Sequence, residues 1–233
     1  MKTVAIIGNP NVGKTVLFNE LTGMKQHVGN WPGVTVEKKT GRFLFGGVEF
    51  QVVDLPGTYS LTSRAKDELI SRNFIVEERP EVVVDIVDAT NLERNLYLTL
   101  LLLELEANLV VALNRWDMAR ERRISIDVEK LSAILESPVV PIVATTGEGL
   151  DLLKEAILAA SKGKGRKRDP AIEYGDDVEE AINEVEEAIR GDPLLSGYPT
   201  RWLAIKALEG DGEVMGLLEA SRDRDEIMVR VKR

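Results

Sequence analysis

The sequence predicts an α/β fold with a mostly parallel sheet flanked by helices, followed by a small all-helical C-terminal domain. Two observations predict it. Short apolar runs alternate with helix-like segments up to about residue 160, which is the pattern of β-α-β units. Beyond that point apolar residues recur only at helical spacing, and the 233 residues leave room for a standard domain plus a small one.

The elements of the first domain follow from hydrophobic periodicity and from turn residues. The predicted strands cover residues 3–7, 36–45, 48–53, 82–87, 109–113 and 139–144. The predicted helices cover residues 14–21, 63–77, 91–106, 127–135 and 150–160. Gly46-Gly47 joins two of the strands as a hairpin, and residues 24–34 carry turn formers without a period, which predicts a loop.

The composition changes after residue 161. Residues 162–170 are basic, contain glycine and end at a proline, which indicates a linker between a domain at 1–161 and one at 171–233. Val178, Ile182 and Val185 then recur at helical spacing beside glutamates, so an amphipathic helix is expected. Helices are also predicted at 200–208 and 213–220, and only the last few residues carry a strand signal.

Composition excludes several classes of function. The net charge of −9 argues against nucleic acid as the main partner, because an acidic surface repels phosphate backbones. The absence of cysteine excludes disulfides, thiolate metal sites and thiol catalysis. No signal peptide is expected at the start of the sequence. The most apolar stretch, residues 96–113, is interrupted by Glu104, Glu106 and Asn108, so no membrane span is expected.

A glycine-rich motif after the first strand points to phosphate binding. Residues 8–15 read GNPNVGKT, which matches G-x-x-x-x-G-K-[ST] between a strand and a helix. Backbone N–H groups of such a loop surround phosphates, Lys14 would neutralise the β- and γ-phosphate oxygens, and the Thr15 hydroxyl would bind Mg²⁺. The alternative is a chance glycine turn with an exposed lysine. The motif alone does not separate ATP from GTP.

Two further segments have the properties of nucleotide switches. Asp54 ends an apolar strand in D-L-P-G, so it is expected beside the phosphate loop, where it would hold Mg²⁺ through a water while the Gly57 N–H meets the γ-phosphate. The alternative is ordinary turn chemistry. Thr35 is the second predicted hydroxyl ligand of Mg²⁺; Thr40 competes for that role but falls inside a predicted strand. Loss of the γ-phosphate would release both segments.

The strongest signal for specificity is N-R-W-D directly after the strand at 109–113. Asp117 can accept from guanine N1–H and N2–H₂, a donor pair that adenine lacks, so adenine would leave a partly buried carboxylate unpaired. Asn114 would bind the base edge and tie the loops together, and the aliphatic stem of Arg115 would cover one purine face. Ala144 and Thr145 follow the last predicted strand, and the Ala144 N–H is expected near guanine O6.

These motifs together predict a GTPase that binds GTP/GDP with Mg²⁺. Catalytic roles are expected for Lys14, Thr35 and Gly57. The predicted nucleotide contacts are Asn9, Pro10, Asn11, Val12, Gly13, Lys14, Thr15, Val16, Gly33, Val34, Thr35, Asp54, Gly57, Asn114, Arg115, Asp117, Ala144 and Thr145.

Beyond the shared motifs, three strings resemble one family in particular. GNWPGVTVE at 29–37, DLPGTYSL at 54–61 and NLYLTL at 95–100 are similar to the cytosolic N-terminal part of the prokaryotic ferrous-iron transporter FeoB. YPTRWLAIK at 198–206 resembles the helical domain of that family, described as acting like a nucleotide-dissociation inhibitor. Methionine is frequent in the family where Arg115 stands, and serine where Val143 or Ala144 stands.

The resemblance implies a regulatory switch for iron uptake at the cytoplasmic face of the membrane. It implies Thr35 as the switch threonine and Asn11 as a ligand of a K⁺ ion that replaces an arginine finger. Thr58, where Ras-like enzymes carry glutamine, fits slow hydrolysis stimulated by K⁺. The implied partner is the membrane-embedded iron-transport domain of the same parent chain, with a homo-oligomer as a further option.

Three alternatives stay open from the sequence. A ribosome-assembly GTPase would carry a basic appendage, whereas this one is rich in glutamate. A nucleotide-sensing module would release nucleotide faster than it cleaves it. A P-loop ATPase conflicts with Asp117, because adenine lacks the donor pair that this carboxylate would accept from. His27, the only histidine, lacks neighbours for an iron site. Trp31 is expected to contact a partner, while Trp116 and Trp202 are expected to pack inside the protein.

Overall fold

The computed structural model describes residues 1–23, 26–62, 65–163 and 172–232. Its strands form one seven-stranded sheet. They are β1 (Lys2–Gly8), β2 (Gln26–Asn30), β3 (Glu37–Phe45), β4 (Val48–Asp54), β5 (Val82–Asp88), β6 (Leu109–Asn114) and β7 (Val139–Pro141).

The sheet is mostly parallel, which confirms the predicted fold class. Its order is β2-β3-β4-β1-β5-β6-β7, and β4, β1, β5, β6 and β7 run parallel to their neighbours in that series. Only β3 pairs antiparallel, with β2 on one side and β4 on the other. The carboxyl ends of the five parallel strands therefore meet at one edge, which is where ligands bind in open α/β sheets.

The helices of the first domain lie along the sheet. They are α1 (Lys14–Thr22), α2 (Lys66–Asn73), α3 (Leu92–Glu104), α4 (Trp116–Glu121), α5 (Val128–Leu135) and α6 (Leu150–Ala160). Alpha-helix α2 continues as a π-helical turn, Phe74–Glu78, and the short 3₁₀ turn Ala89–Asn91 precedes α3. The C-terminal helices are α7 (Asp176–Ile189), α8 (Thr200–Leu208), α9 (Gly212–Glu219) and α10 (Arg224–Val231).

The structure corrects four predictions of secondary structure. Part of the predicted loop at 24–34 is strand β2, because its backbone pairs with β3 although its exposed side chains have no hydrophobic period. The strand signal at the C-terminus is wrong, since those residues form α10. Strand β7 is shorter than predicted, and the sequence pattern missed α4. Residues 164–170 of the predicted linker lie outside the described residues.

Alternate residues of the central strands supply two apolar layers. Val4 and Ile6 of β1 face α1 and α6, whereas Ala5 and Ile7 belong to the layer that includes α2 and α3. The second layer continues without interruption into the C-terminal helices through buried Trp202. The two parts of the chain therefore share one hydrophobic core on that side.

Asp85 is an ionisable group buried in the middle of the sheet. It lies in β5, is 1% exposed, and accepts a hydrogen bond of 2.6 Å from the Thr99 hydroxyl of α3. Burial raises the pKa of Asp85 to about 7, and the hydrogen bond from Thr99 opposes part of that rise. Because the folded pKa exceeds the unfolded one, the stability that the neutral form provides is lost as pH rises toward 7.

We therefore expect Asp85→Asn to stabilise the protein at alkaline pH. Asparagine keeps the acceptor for Thr99 but carries no charge to bury. The free energy of unfolding should rise by about 3 kcal/mol at pH 8 and change little at pH 4. Urea unfolding at both pH values measures this, with the exposed Asp151→Asn as control. An equal effect at the two pH values would contradict the assignment.

Arg72 joins α2 to the C-terminal helices. Its side chain is 1% exposed, and its guanidinium bonds Asp211 at 2.9 Å, contacts Glu213 and lies 5.6 Å from the Trp202 ring. Asp211 is also the N-cap of α9. A buried ion pair of this kind is costly to break from one side, because the remaining carboxylate then lies buried without its counter-charge.

Replacing Arg72 should consequently destabilise the whole chain. We expect Arg72→Met to lower the free energy of unfolding by about 3–5 kcal/mol. The matched control is Arg222→Met, whose guanidinium is exposed beside Asp223 and should change stability by less than about 0.5 kcal/mol. Urea denaturation compares the two variants; similar midpoints would show that the buried pair does not hold the two parts together.

Candidate functional site

The glycine-rich loop lies between β1 and α1, and two of its glycines are required by close packing. A Cβ on Gly8 would lie 2.7 Å from the Ile86 carbonyl oxygen, and one on Gly13 would lie 2.5 Å from Asn114 Nδ2. Gly13 also has a φ of 100°, a conformation that favours glycine. The loop thus curls tightly against β5 and β6, with the first N–H groups of α1 at its end.

Lys14 and Asp54 form an ion pair at the centre of this edge. The side chains are 14% and 8% exposed, and the ammonium donates to the carboxylate. Burial raises the pKa of Asp54 above its ordinary value, and the Lys14 ammonium opposes part of that rise. The sequence predicts that both residues lie at the nucleotide phosphates, and the structure shows that they contact each other directly.

The oxygen groups near this pair suit a magnesium ion. Thr15 is exposed at the start of α1, next to Lys14, and Asp54 supplies a carboxylate. Hydroxyl and carboxylate oxygens are the ligands that Mg²⁺ prefers. In the loop itself, Asn9 is 3% exposed and its Oδ1 has no hydrogen-bond partner among the described residues. A buried acceptor of that kind fits a loop that is completed by a ligand.

Thr35 lies on an exposed turn that begins at Trp31. The Trp31 N–H donates to the Val36 carbonyl at 2.9 Å, and Gly33 takes a φ of 73° inside the turn. Within the described residues the Thr35 hydroxyl makes no hydrogen bond to the glycine-rich loop. The structure therefore presents Gly33 and Thr35 at the surface, whereas Val34 between them is half-buried against the apolar layer.

The prediction that Trp31 contacts a partner is wrong, because its side chain is buried. Its side chain is 6% exposed and packs edge to face on Phe74, with ring centroids 5.5 Å apart. The Lys38 ammonium covers the ring at 4.4 Å. The neighbouring Pro and Gly form the exposed turn, while the indole turns back under it and fixes the turn to the π-helical extension of α2. Trp202 is buried as expected, and Trp116 is partly buried.

The segment after Asp54 lies against the glycine-rich loop. The Thr58 N–H donates to the Gly8 carbonyl at 3.2 Å, and a Cβ on Gly57 would lie 3.5 Å from Pro10 Cα. Thr58 is 4% exposed and its hydroxyl donates to the Ser60 carbonyl at 2.7 Å. Its side chain is thus engaged inside the protein, so it does not take the part of the water-orienting glutamine of Ras-like enzymes.

Asn114 ties three loops together at the base-reading end. Its Nδ2 donates to the Val12 carbonyl at 2.7 Å, and its Oδ1 accepts from the Ala144 N–H at 3.0 Å. The predicted contact between the Ala144 N–H and guanine O6 needs correction, because Asn114 already uses that N–H. Thr145, the next residue, is exposed and takes over as the proposed donor.

Asp117 lies in the first turn of α4, half-buried, and within the described residues its carboxylate makes no side-chain hydrogen bond. Both oxygens can thus accept from a ligand. The preceding Arg115 has a φ of 61°, and its guanidinium donates to the Asn11 carbonyl and to Asp88, each at 2.6 Å. The sequence predicted a stacking stem for Arg115 but not these contacts, because Asp88 lies on a different strand.

The remaining predicted contacts lie along the same loop. Pro10 is half-buried, Val12 is 3% exposed, and Val16 is 37% exposed on α1. Over the described part of the chain, no group of three or more histidine, aspartate or glutamate side chains could hold a metal ion. The same residues include no helix that is both long and apolar enough to span a membrane.

Family models match both parts of the chain. Residues 2–157 match the model described as ferrous iron transport protein B, and residues 174–233 match the FeoB cytosolic helical domain. Among curated relatives, the Fe(2+) transporter FeoB of Escherichia coli K12 is 42% identical over 99% of this chain. The FeoA/FeoB fusion protein of Porphyromonas gingivalis is 44% identical over 91% of it. The chain spans 30% and 25% of the lengths of these two relatives.

Solved structures agree with these matches. The GMPPNP form of the cytosolic domain of the T. maritima FeoB iron transporter has a TM-score of 0.88 at 37% identity, covering 100% of this chain and 98% of that one. The FeoB G-domain from Methanococcus jannaschii is 52% identical over 70% of this chain and 98% of its own, with a TM-score of 0.63. The chain belongs to the FeoB family, of which it comprises the G-domain and the cytosolic helical domain.

Proposed function

We propose that this chain is a slow, K⁺-stimulated GTPase switch that regulates ferrous-iron uptake through a membrane domain of its parent protein. The observation that carries the proposal is the link between the two halves of the site. Asn114 is the last residue of β6, three residues before Asp117, and donates to the Val12 carbonyl of the phosphate loop at 2.7 Å. One side chain thus sets the distance between base reading and phosphate binding.

The phosphate end of the site would hold Mg²⁺–GTP. Lys14 would turn from Asp54 to the β- and γ-phosphate oxygens, and backbone N–H groups from Asn11 to Thr15 would surround them. Bound Mg²⁺ would neutralise phosphate charge, with the Thr15 and Thr35 hydroxyls as ligands and Asp54 acting through a water. Lys14 would therefore have an anionic partner in both states: Asp54 without nucleotide, and phosphate when nucleotide is bound.

The base end would select guanine. Asp117 would accept from N1–H and N2–H₂, Thr145 would donate to O6, and the stem of Arg115 would cover the ring. Adenine offers no matching donor pair, so its binding would leave Asp117 partly buried and unpaired. The GDP and GMPPNP forms of the T. maritima relative support a guanine-nucleotide site in this family.

Hydrolysis would rely on electrostatic stabilisation. Asn11 is exposed on the loop and offers an amide oxygen, a donor that suits a monovalent cation. K⁺ there would supply the positive charge that an arginine finger supplies elsewhere. The engaged Thr58 hydroxyl supports slow turnover, because the residue directly after Gly57 uses its side chain on the Ser60 carbonyl and not on water.

The proposed regulatory role rests on a series of contacts that runs from the turn carrying Thr35, through α2, to the C-terminal helices. The turn that carries Thr35 is anchored by Trp31 on Phe74, in the turn that continues α2. Arg72, in the last turn of α2, binds Asp211 of the helical part. Release of Thr35 and Gly57 after loss of the γ-phosphate would therefore act on an element that the helical domain holds.

The parent membrane domain is the proposed partner of this chain. The chain covers less than a third of the FeoB transporters that it matches, which leaves most of their length for other domains. Ferrous iron would be the cargo of that membrane part, as in the Fe(2+) transporters that the chain resembles. The proposed location is the cytoplasmic face of the membrane. Nucleic acid is not a proposed partner, and self-association is a further option.

Base selection provides the first test. Asp117→Asn should weaken GTP binding about a hundredfold and favour xanthosine triphosphate, since asparagine can donate to the xanthine O2 that replaces the guanine amino group. Competition with labelled nucleotide measures both affinities. Glu121→Gln, at the far end of α4, is the control and should bind like the unmodified chain. An unmodified chain that takes ATP as readily as GTP would refute the proposed specificity.

Cation dependence provides the second test. We expect GTP hydrolysis to be at least about tenfold faster in K⁺ than in Na⁺, and Asn11→Ala to lose most of that difference, because it removes the amide ligand. The control is Asn19→Ala, an exposed residue of α1. Single-turnover rates in the two salts decide the matter. Equal rates, with Asn11→Ala no slower, would end the K⁺ assignment while leaving GTP binding intact.

A further inference from the structure

The guanidinium of Arg115 connects the base-reading segment to the phosphate loop. Its Nη2 donates to the Asn11 carbonyl at 2.6 Å, a contact across 104 residues of sequence. Asn114, one residue earlier, donates to the Val12 carbonyl. Two consecutive residues of one loop therefore hold two consecutive carbonyls of the other.

The other side of the guanidinium is fixed by a buried carboxylate. Arg115 Nη1 lies 2.6 Å from Asp88 Oδ2, whose side chain is 10% exposed. The second oxygen of Asp88 is held by the N–H and the hydroxyl of Thr90, both at 2.8 Å. Because Asp88 cannot turn away without losing these bonds, it orients the guanidinium toward the loop. Charge-assisted bonds of this kind are stronger than neutral ones.

The contact also holds a backbone conformation that is unfavourable by itself. Asn11 has a φ of 66° and Arg115 a φ of 61°, both in the left-handed region that residues other than glycine rarely adopt. Such conformations persist where surrounding contacts impose them. A donor on the Asn11 carbonyl is a contact of that kind, and it keeps the phosphate loop in its curled form next to the base-reading segment.

We propose that Arg115 is a positioning residue that couples the guanine-reading segment to the phosphate loop and thereby slows the release of guanine nucleotides. The inference rests on the proposed nucleotide site. With the guanidinium in place, the two loops are already held next to each other before a ligand binds. Without it, a ligand that touches both loops has to supply the free energy that brings them together.

This role differs from two others that Arg115 could have. A stem that only stacks on the purine would act on every ligand that contains guanine. A cation that only attracts phosphate would act on every ligand with phosphate charge. Coupling acts solely on ligands that reach both loops. Three ligands thus separate the roles: GDP, guanosine, and inorganic pyrophosphate.

The test is Arg115→Met, measured on the full chain by calorimetric or NMR titration with the three ligands and by the rate of GDP release. We expect GDP affinity to fall about tenfold, equivalent to about 1.4 kcal/mol, with correspondingly faster release. Guanosine and pyrophosphate affinities should not change. Arg115→Lys, which keeps the charge but lacks the planar fork of donors, should lie between. Arg122→Met, an exposed arginine after α4, should match the unmodified chain.

Several outcomes would overturn the coupling role. One is a GDP affinity that does not fall in Arg115→Met, and another is a guanosine or pyrophosphate affinity that falls as much as GDP affinity does. Should Arg115→Met fail to fold, Arg115→Lys and Asp88→Asn carry the same test, and normal GDP binding by both would count against the proposal. If the unmodified chain binds no GDP, the proposed function itself fails. Normal GDP binding with an unaffected Arg115→Met refutes the coupling alone.

Discussion

The buried amide of Asn114 is the interaction on which the candidate site depends. It is 4% exposed and satisfies both of its ends, with the Val12 carbonyl on one side and the Ala144 N–H on the other. Three loops that leave three different strands therefore have fixed positions relative to one another. The same amide explains Gly13, where any Cβ would collide with it. An aliphatic residue at position 114 would leave two buried backbone groups unpaired, which costs more than the net value of the bonds themselves.

The sheet order makes this amide possible, and it also arranges the charges. Strands β4, β1, β5 and β6 are neighbours, so the residues at their carboxyl ends, Asp54, Gly8, Asp88 and Asn114, line one edge. Two carboxylates buried there each have a cation: Lys14 for Asp54 and Arg115 for Asp88. The pairs differ in what can replace them. Lys14 is on the phosphate loop and can exchange its carboxylate for phosphate. Arg115 bonds the Asn11 carbonyl as well as Asp88, so it would lose two bonds if it moved to a ligand.

Much of this was predictable, because it depends on local patterns. The alternation of apolar runs and helices gave the fold class, and the glycine-rich loop, Asp54 and Asp117 could be located by their position after strands. Contacts between distant segments could not be predicted in the same way. Nothing near Arg115 in the sequence indicates Asp88, and nothing near Trp31 indicates Phe74, which lies 43 residues later. Strand β2 escaped notice because an exposed edge strand needs backbone pairing only, with no hydrophobic period to reveal it.

The burial of Trp31 changes how the exposed turn at Thr35 has to be understood. A turn with no anchor could open and close without consequence for the rest of the molecule. Here its first residue packs on Phe74, and the Lys38 ammonium covers the indole ring. Phe74 directly continues α2, whose Arg72 is held by Asp211 of the C-terminal helices. Because packed side chains shift between discrete arrangements and do not deform continuously, a turn anchored in this way would pass a movement of Thr35 to α2. The C-terminal helices are therefore joined to this turn, by way of α2, through a shared apolar layer and one buried ion pair.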